Sequence, residues 1–65
     1  MAKNFMIVPH NEGQELNYIE DYSGNLSGAV QRATNMLVEL KATLKQGTIS
    51  VEVMDSNYKK VKEVV

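Results

Sequence analysis

Few residues of this chain are of the types that carry out chemistry, and they form no recognisable catalytic pattern. Cysteine is absent, which removes thiol catalysis and cysteine-ligated zinc. His10 is the single histidine of the sequence, and a general base or a metal ligand needs other groups that converge on it. We therefore expect His10 to be structural or solvent-exposed. We predict a protein that is not an enzyme and that holds no catalytic residue, metal or cofactor.

Carboxylates are concentrated near the first turn of the chain. Glu20 and Asp21 are adjacent, but neighbouring side chains of a strand point to opposite faces, so we expect them to diverge instead of sharing a proton. Together with Glu12 and Glu15 they make residues 10–22 locally acidic. Such a rim is typical of an inhibitor-type protein that offers negative charge to a basic site, and this is one alternative function.

Lysines are concentrated near the last turn. Lys59, Lys60 and Lys62 follow Tyr58, a combination that can contact phosphate and stack on a base. The same lysines can instead protect the edge of a sheet from pairing with other strands. Neighbouring acidic residues also weaken any positive field. Association with nucleic acid is therefore a second alternative, which we do not favour.

The composition is that of an ordinary globular domain, with 43% hydrophobic residues, 23% charged residues and a formal net charge of -1. This balance indicates neither a general nucleic-acid binder nor a disordered tail. The apolar run at residues 5–8 stops at Pro9, whereas a signal-peptide core needs about 7–15 apolar residues and a membrane span about 20. We expect one small soluble domain over residues 1–65, located in the cytoplasm and without membrane contact.

The elements that position these residues are predicted in the order β-β-α-β-β. Apolar runs bounded by turn residues predict the strands, and apolar residues three and four apart predict one long helix. Asn25 is suited to cap that helix and Gly47 to end it. The predicted strands are residues 4–9, 15–22, 48–55 and 58–65, and the predicted helix is residues 26–46. The fold class that follows is α+β, a four-stranded and mainly antiparallel sheet with the helix packed on one face.

The apolar stripe of the helix indicates which side chains meet the sheet. It favours core packing over a coiled-coil seam, because the stripe is short and strands precede and follow it. Ala29 and Met36 widen the stripe. Its main members are Leu26, Val30, Ala33, Leu37, Leu40 and Leu44.

The first hairpin is predicted to be apolar on both faces. A three-residue loop would pair His10 with Gln14. Val8 would then lie opposite Leu16, and Met6 opposite Tyr18. Since one helix covers one face only, the face with these four apolar residues would stay open, and an exposed apolar patch usually meets a partner.

The second hairpin allows two registers. A two-residue loop at residues 56–57 would pair Val53 with Lys60. A three-residue loop would pair Val53 with Val61, which buries better, but it places Tyr58 where glycine is usual.

A short chain without stabilising cross-links favours association. A domain of about 60 residues buries only about 60% of the surface that its unfolded chain exposes, and small domains usually add a disulfide, a metal or a partner subunit. We therefore predict a small protein-interaction module that forms a homo-oligomer or binds a protein partner. The predicted contact residues are Met6, Val8, Leu16 and Tyr18.

Overall fold

The sheet of this protein is arranged around its first strand. In a computed structural model, which describes residues 3–44 and 47–65, β1 (Lys3–Asn11) pairs with three other strands, all of them antiparallel. On one side lie β2 (Gln14–Glu15) and β3 (Glu20–Gly24), and on the other lies β4 (Ile49–Met54), followed by β5 (Lys60–Val64). One helix, α1 (Leu26–Thr43), packs on a single face. The predicted α+β class is confirmed, with the order β-β-β-α-β-β.

The first strand does not end at Pro9, although the sequence predicted a strand over residues 4–9. β1 continues through Pro9, which pairs with Val51 of β4. On its other side the Pro9 carbonyl accepts a hydrogen bond from the Leu16 N–H at 3.0 Å. The N–H and C=O groups of one strand residue point the same way, so the donor that proline lacks would face the β2 and β3 side. Proline is tolerated in a central strand at this kind of irregularity.

The first turn is one residue shorter than predicted, which changes the register of the hairpin. His10 pairs with Glu15 and Asn11 with Gln14, so that only Glu12 and Gly13 form the loop. Both loop residues have positive φ, 54° and 78°, as a two-residue hairpin turn with the twist of its strands requires. The predicted pairs of His10 with Gln14, Val8 with Leu16 and Met6 with Tyr18 are therefore wrong.

The predicted second strand is split into β2 and β3 by residues 16–19, which we call the 16–19 loop. β3 pairs Ile7 with Glu20, so that only Val8 and Pro9 of β1 face the four loop residues. This amounts to an insertion of two residues, and the loop leaves the plane of the sheet. The absent N–H of Pro9 is a physical reason for the split, because a continuous strand would lack a ladder hydrogen bond at this point.

The helix begins at the predicted cap and ends before the predicted end. Asn25 Oδ1 accepts a hydrogen bond from the Gly28 N–H at 2.7 Å. Leu44 is the C-terminal cap, in an extended conformation in which it packs against the core. Residues 45 and 46, which the prediction placed in the helix, lie outside the described residues, and Gly47 follows the cap with a φ of 89°. Within residues 3–44 and 47–65, no helix combines the length and the apolar character needed to cross a membrane.

The buried side of α1 is rotated relative to the predicted stripe. Ala29, Ala33, Met36 and Leu37 are buried, whereas Leu26 is 42% exposed. Alanines at the centre of the contact allow the helix to approach the sheet closely, and the larger side chains come from the strands. The sheet contributes Phe5, Ile7, Ile49, Val51 and Val53 to the core.

The second hairpin follows neither predicted register. Asp55 and Lys59 close a loop in which Tyr58 has a φ of 62°, and Asp55 Oδ1 accepts hydrogen bonds from two N–H groups of that loop. Met54 pairs with Lys60 but Val53 pairs with Lys62, so Val61 is an additional residue at a β-bulge. Both predicted pairs, Val53 with Lys60 and Val53 with Val61, are wrong, because the bulge shifts the register of β5 against β4 beyond the shift that the turn causes.

Candidate functional site

A small cavity opens between the 16–19 loop and one flank of α1. Its volume is about 230 Å³. Most of its wall is apolar, with Arg32 and Glu39 at the polar side. We call it the helix–loop cavity, and its lining residues are Pro9, Leu16, Tyr18, Arg32, Met36, Glu39 and Leu40.

The local folding of the chain explains why the cavity exists. Pro9 shares a sheet face with Ile7, a core residue that lies beneath the helix. The 16–19 loop carries Leu16 and Tyr18 to this same side, and the Tyr18 N–H donates to the Leu16 carbonyl within the loop. The loop residues thus form one wall and the helix forms the other, with Pro9 and Met36 between them.

A network of three polar side chains fixes the loop to the helix. Arg32 donates two hydrogen bonds to Glu20, from Nε at 2.5 Å and from Nη2 at 2.8 Å. The Tyr18 hydroxyl donates to the same carboxylate at 3.0 Å. Glu20 is the first residue of β3 and shares the helix-facing side of the sheet with Ile7. Two-bond arginine–carboxylate pairs are geometrically specific, so the end of the loop is held in one place.

The network shifts the pKa values of all three groups in the direction of a stable ion pair. Hydrogen bonds from Arg32 lower the pKa of the Glu20 carboxyl, and those same bonds raise the pKa of the Arg32 guanidinium. The hydrogen bond to Glu20 raises the pKa of the Tyr18 hydroxyl. At neutral pH the network therefore contains one carboxylate, one guanidinium and one neutral phenol.

The structure places the four predicted interface residues on two different faces. Leu16 and Tyr18 line the helix–loop cavity, and Tyr18 is 51% exposed. Met6 and Val8 alternate with the core residues of β1, so they lie on the face away from the helix. Val8 is only 2% exposed and cannot offer its side chain to a partner.

The predicted acidic rim is divided between the two faces of the sheet. Glu20 is bound to Arg32 beneath the helix, while Asp21 is exposed on the other face, opposite Met6. These adjacent carboxylates diverge, as strand geometry predicted. Glu15 pairs with His10, which puts it on the same face as Asp21, and Glu12 in the turn accepts a hydrogen bond from the Thr48 N–H. Glu20 therefore points away from Glu15 and Asp21.

The predicted nucleic-acid residues, Tyr58, Lys59, Lys60 and Lys62, are all exposed. Lys60 is paired with Met54 and Lys62 with Val53, so these two lysines point to opposite faces of the sheet. Lys60 also lies 3.8 Å from Glu63. The lysines therefore do not converge on one phosphate-binding surface.

His10 is held by main-chain and side-chain neighbours on the open face. Its Nδ1 lies 3.1 Å from the Val8 carbonyl oxygen, and its Nε2 lies 3.9 Å from Glu52. Across residues 3–44 and 47–65, the side chains of His, Asp and Glu nowhere form a group of three that could hold a metal ion.

Sequence patterns did not identify five residues of the helix–loop cavity: Pro9, Arg32, Met36, Glu39 and Leu40. Two signals were available for them. Arg32 is the single arginine and lies beside the apolar stripe of the helix, where it needs an acidic partner from the sheet. Pro9 lies within a β-rich run, where it marks an irregularity in the paired strand.

Comparison with protein-family models, curated proteins and solved structures found no significant match to this chain.

Proposed function

We propose that this protein is a non-enzymatic protein-interaction module that receives an apolar side chain of its partner in the helix–loop cavity. The observation that carries the proposal is an apolar cavity with a charged rim, held open by the contact of Tyr18 and Arg32 with one carboxylate. Apolar walls with a few fixed polar groups are typical of recognition sites.

The size of the cavity favours a side chain over a free small molecule. At about 230 Å³ it is smaller than the roughly 300–1,000 Å³ of pockets that enclose a drug-sized ligand or cofactor. A leucine- or phenylalanine-sized group can be buried there while the rest of the partner stays outside. Burying such a side chain completely contributes roughly 1.5–3 kcal/mol, enough for a weak anchor.

The charge around the cavity favours a basic partner. Glu20 and Arg32 neutralise each other, and Glu39 is an exposed carboxylate that lines the same cavity. The rim therefore carries one net negative charge. Complementary charge steers encounter and selects partners, so an apolar side chain next to lysine or arginine fits best.

Blocked tripeptides test the proposal directly. Isotope-labelled protein is titrated with acetylated, amidated Lys-Leu-Lys, Lys-Ser-Lys and Glu-Leu-Glu, and amide shifts are followed by NMR. We expect Lys-Leu-Lys to move the signals of Leu16, Tyr18 and Leu40 most strongly. Equal effects of all three peptides, or shifts located elsewhere, would contradict the proposal.

Two variants that each raise the net charge by one unit distinguish the effect of the rim carboxylate from the effect of the net charge. Glu39→Gln removes the rim carboxylate, and Thr34→Lys adds one positive charge at an exposed helix position that does not line the cavity. Glu39→Gln should weaken Lys-Leu-Lys binding about 3-fold or more, while Thr34→Lys should change it less. The opposite order would exclude Glu39 from recognition.

A further inference from the structure

We infer that the free edge of β5 pairs with the same edge of a second copy of this chain. β5 is the last strand of the sheet order and pairs only with β4 among the described strands. Within residues 3–44 and 47–65 no strand pairs with its other side, and the backbone N–H and C=O groups of such an edge can extend a ladder into another molecule. This surface is distinct from the helix–loop cavity, which lies on the opposite side of the sheet order, so the inference goes beyond the proposed function.

The bulge of β5 determines which side chains share a face. Lys60 lies opposite Met54 and Glu63 lies opposite Glu52, so both are on the face away from the helix. If Val61 occupied a regular strand position instead of a bulge, Lys60 and Glu63 would be three alternating positions apart and would lie on opposite faces. The bulge thus aligns a positive and a negative side chain on one face of an edge strand.

Antiparallel pairing about a two-fold axis between Val61 and Lys62 uses this alignment. It places Lys60 opposite the partner's Glu63 and, by symmetry, Glu63 opposite the partner's Lys60. Registers centred on Lys60 or on Glu63 would instead place like charges opposite each other, which destabilises a strand pair. Edge lysines usually keep foreign strands away, but in this register they become partners of opposite charge.

The same register brings together the exposed apolar residues of this edge. Tyr58 is 73% exposed and Val65 is 75% exposed, and the register places each opposite the other in the partner. Val61, also exposed, lies next to the axis. Tyr58 adopts positive φ, a conformation that is costly for a bulky residue.

One unfavourable contact within the chain is relieved by this pairing. Glu52 and Glu63 lie directly opposite each other on β4 and β5, and like charges in that position are destabilising. Lys60 reaches Glu63 only at 3.8 Å within its own chain. The partner's Lys60 would approach the same pair of carboxylates from the free side of β5.

Charge reversal with mixing tests the inference. The parent chain, Lys60→Glu, Glu63→Lys and the double variant are compared by sedimentation equilibrium over a range of concentrations. We expect the parent and the double variant to form dimers, and each single variant to dissociate at least about tenfold more readily because its pairs carry like charge.

An equimolar mixture of the two single variants gives the sharpest result. Between these two chains every pair is again of opposite charge, so they should form a heterodimer, while charge pairs within each chain stay broken. Recovery of dimer on mixing supports the edge pairing. A parent that is monomeric up to about 1 mM, or single variants that do not associate with each other when the parent dimerises, would overturn it.

Discussion

Arg32 and Glu20 join the helix to the start of β3 and so determine where the 16–19 loop ends. Both side chains are partly exposed, at 35% and 24%, so the ion pair is screened by water. Because the pair has two hydrogen bonds, its contribution to stability should be near the top of the range for exposed ion pairs, about 1 kcal/mol. We predict that Glu20→Gln lowers the free energy of unfolding at neutral pH by about this amount, measured with urea.

The pH dependence of that effect follows from the lowered pKa of Glu20. A carboxyl whose pKa is lower in the folded state contributes stability above its unfolded pKa and loses that contribution as the pH falls through the folded value. The difference between parent and Glu20→Gln should therefore shrink in acid, below about pH 4. Asp21→Asn, which changes the neighbouring exposed carboxyl, is the control and should have little effect. A difference that persists unchanged in acid would show that the ion pair is not its source.

Gly28 is a second residue at which a local contact decides the outcome of a substitution. Glycine within a helix is usually less stable than alanine by about 1 kcal/mol, so Gly28→Ala would normally stabilise α1. Here an added Cβ would lie 2.0 Å from the Tyr22 hydroxyl oxygen and 2.9 Å from Cζ of that ring. Tyr22 packs against the core, and its ring must move to make room. We predict that Gly28→Ala lowers the free energy of unfolding by about 1–2 kcal/mol.

A double-mutant cycle checks this explanation. Tyr22→Phe removes the nearest atom, so Gly28→Ala should cost less in the Tyr22→Phe protein than in the parent. Equal costs in both proteins would mean that the tyrosine hydroxyl is not the obstacle.

At the scale of elements, the helix and β4 could be predicted because their signals are local. Asn25 is a side-chain cap that acts within one turn, and strict alternation identified Ile49, Val51 and Val53 as one buried face. Strand register could not be predicted, because a turn that is shorter or longer by one residue changes every pair beyond it. The helix–loop cavity depends on this register together with the missing N–H of Pro9. The sequence therefore predicted Leu16 and Tyr18 as contact residues but placed them opposite the wrong partners.

The 16–19 loop is an insertion of two residues, and removing two residues should restore a continuous strand. Deleting residues 17–18 would place Leu16 opposite Pro9 and Ile19 opposite Val8, with the alternation of faces kept. We predict that the deletion protein folds with a free energy of unfolding within about 1 kcal/mol of the parent, because a shorter loop costs less entropy while one ladder bond stays absent at Pro9. The new pairs can be detected by cross-strand contacts in NMR.

Binding of Lys-Leu-Lys should be lost in this deletion protein, since the loop wall of the cavity is gone. Tyr18→Ala keeps the loop length and is the matched control for the lost phenol. If the deletion protein binds the peptide as the parent does, the loop is not part of the binding site.

At the scale of the whole molecule, the helix–loop cavity and the free edge of β5 lie at opposite sides of one sheet. Pairing through β5 would leave both cavities of the dimer accessible, with the two helices on the same face. Association that involves only the folded chain stabilises it by mass action, so the midpoint of thermal unfolding should rise with protein concentration. For a chain of this size the midpoint of thermal unfolding shifts by roughly 4–8 °C for each 1 kcal/mol of unfolding free energy. An increase in protein concentration from about 10 µM to 1 mM should therefore raise the midpoint by several degrees.

This concentration dependence should be clearly weaker in Lys60→Glu than in the parent. It should also be weaker at high salt, because the pairs between Lys60 and the partner's Glu63 are exposed and screened. Glu39→Gln is the control for a charge change away from β5, since Glu39 lies on α1 beside the helix–loop cavity, and it should keep the parent's dependence. Scanning calorimetry of the three proteins at several concentrations measures all of these effects. A midpoint that rises equally in Lys60→Glu would place self-association on another surface, while loss of the rise in Glu39→Gln would mean that the cavity side forms the contact between copies.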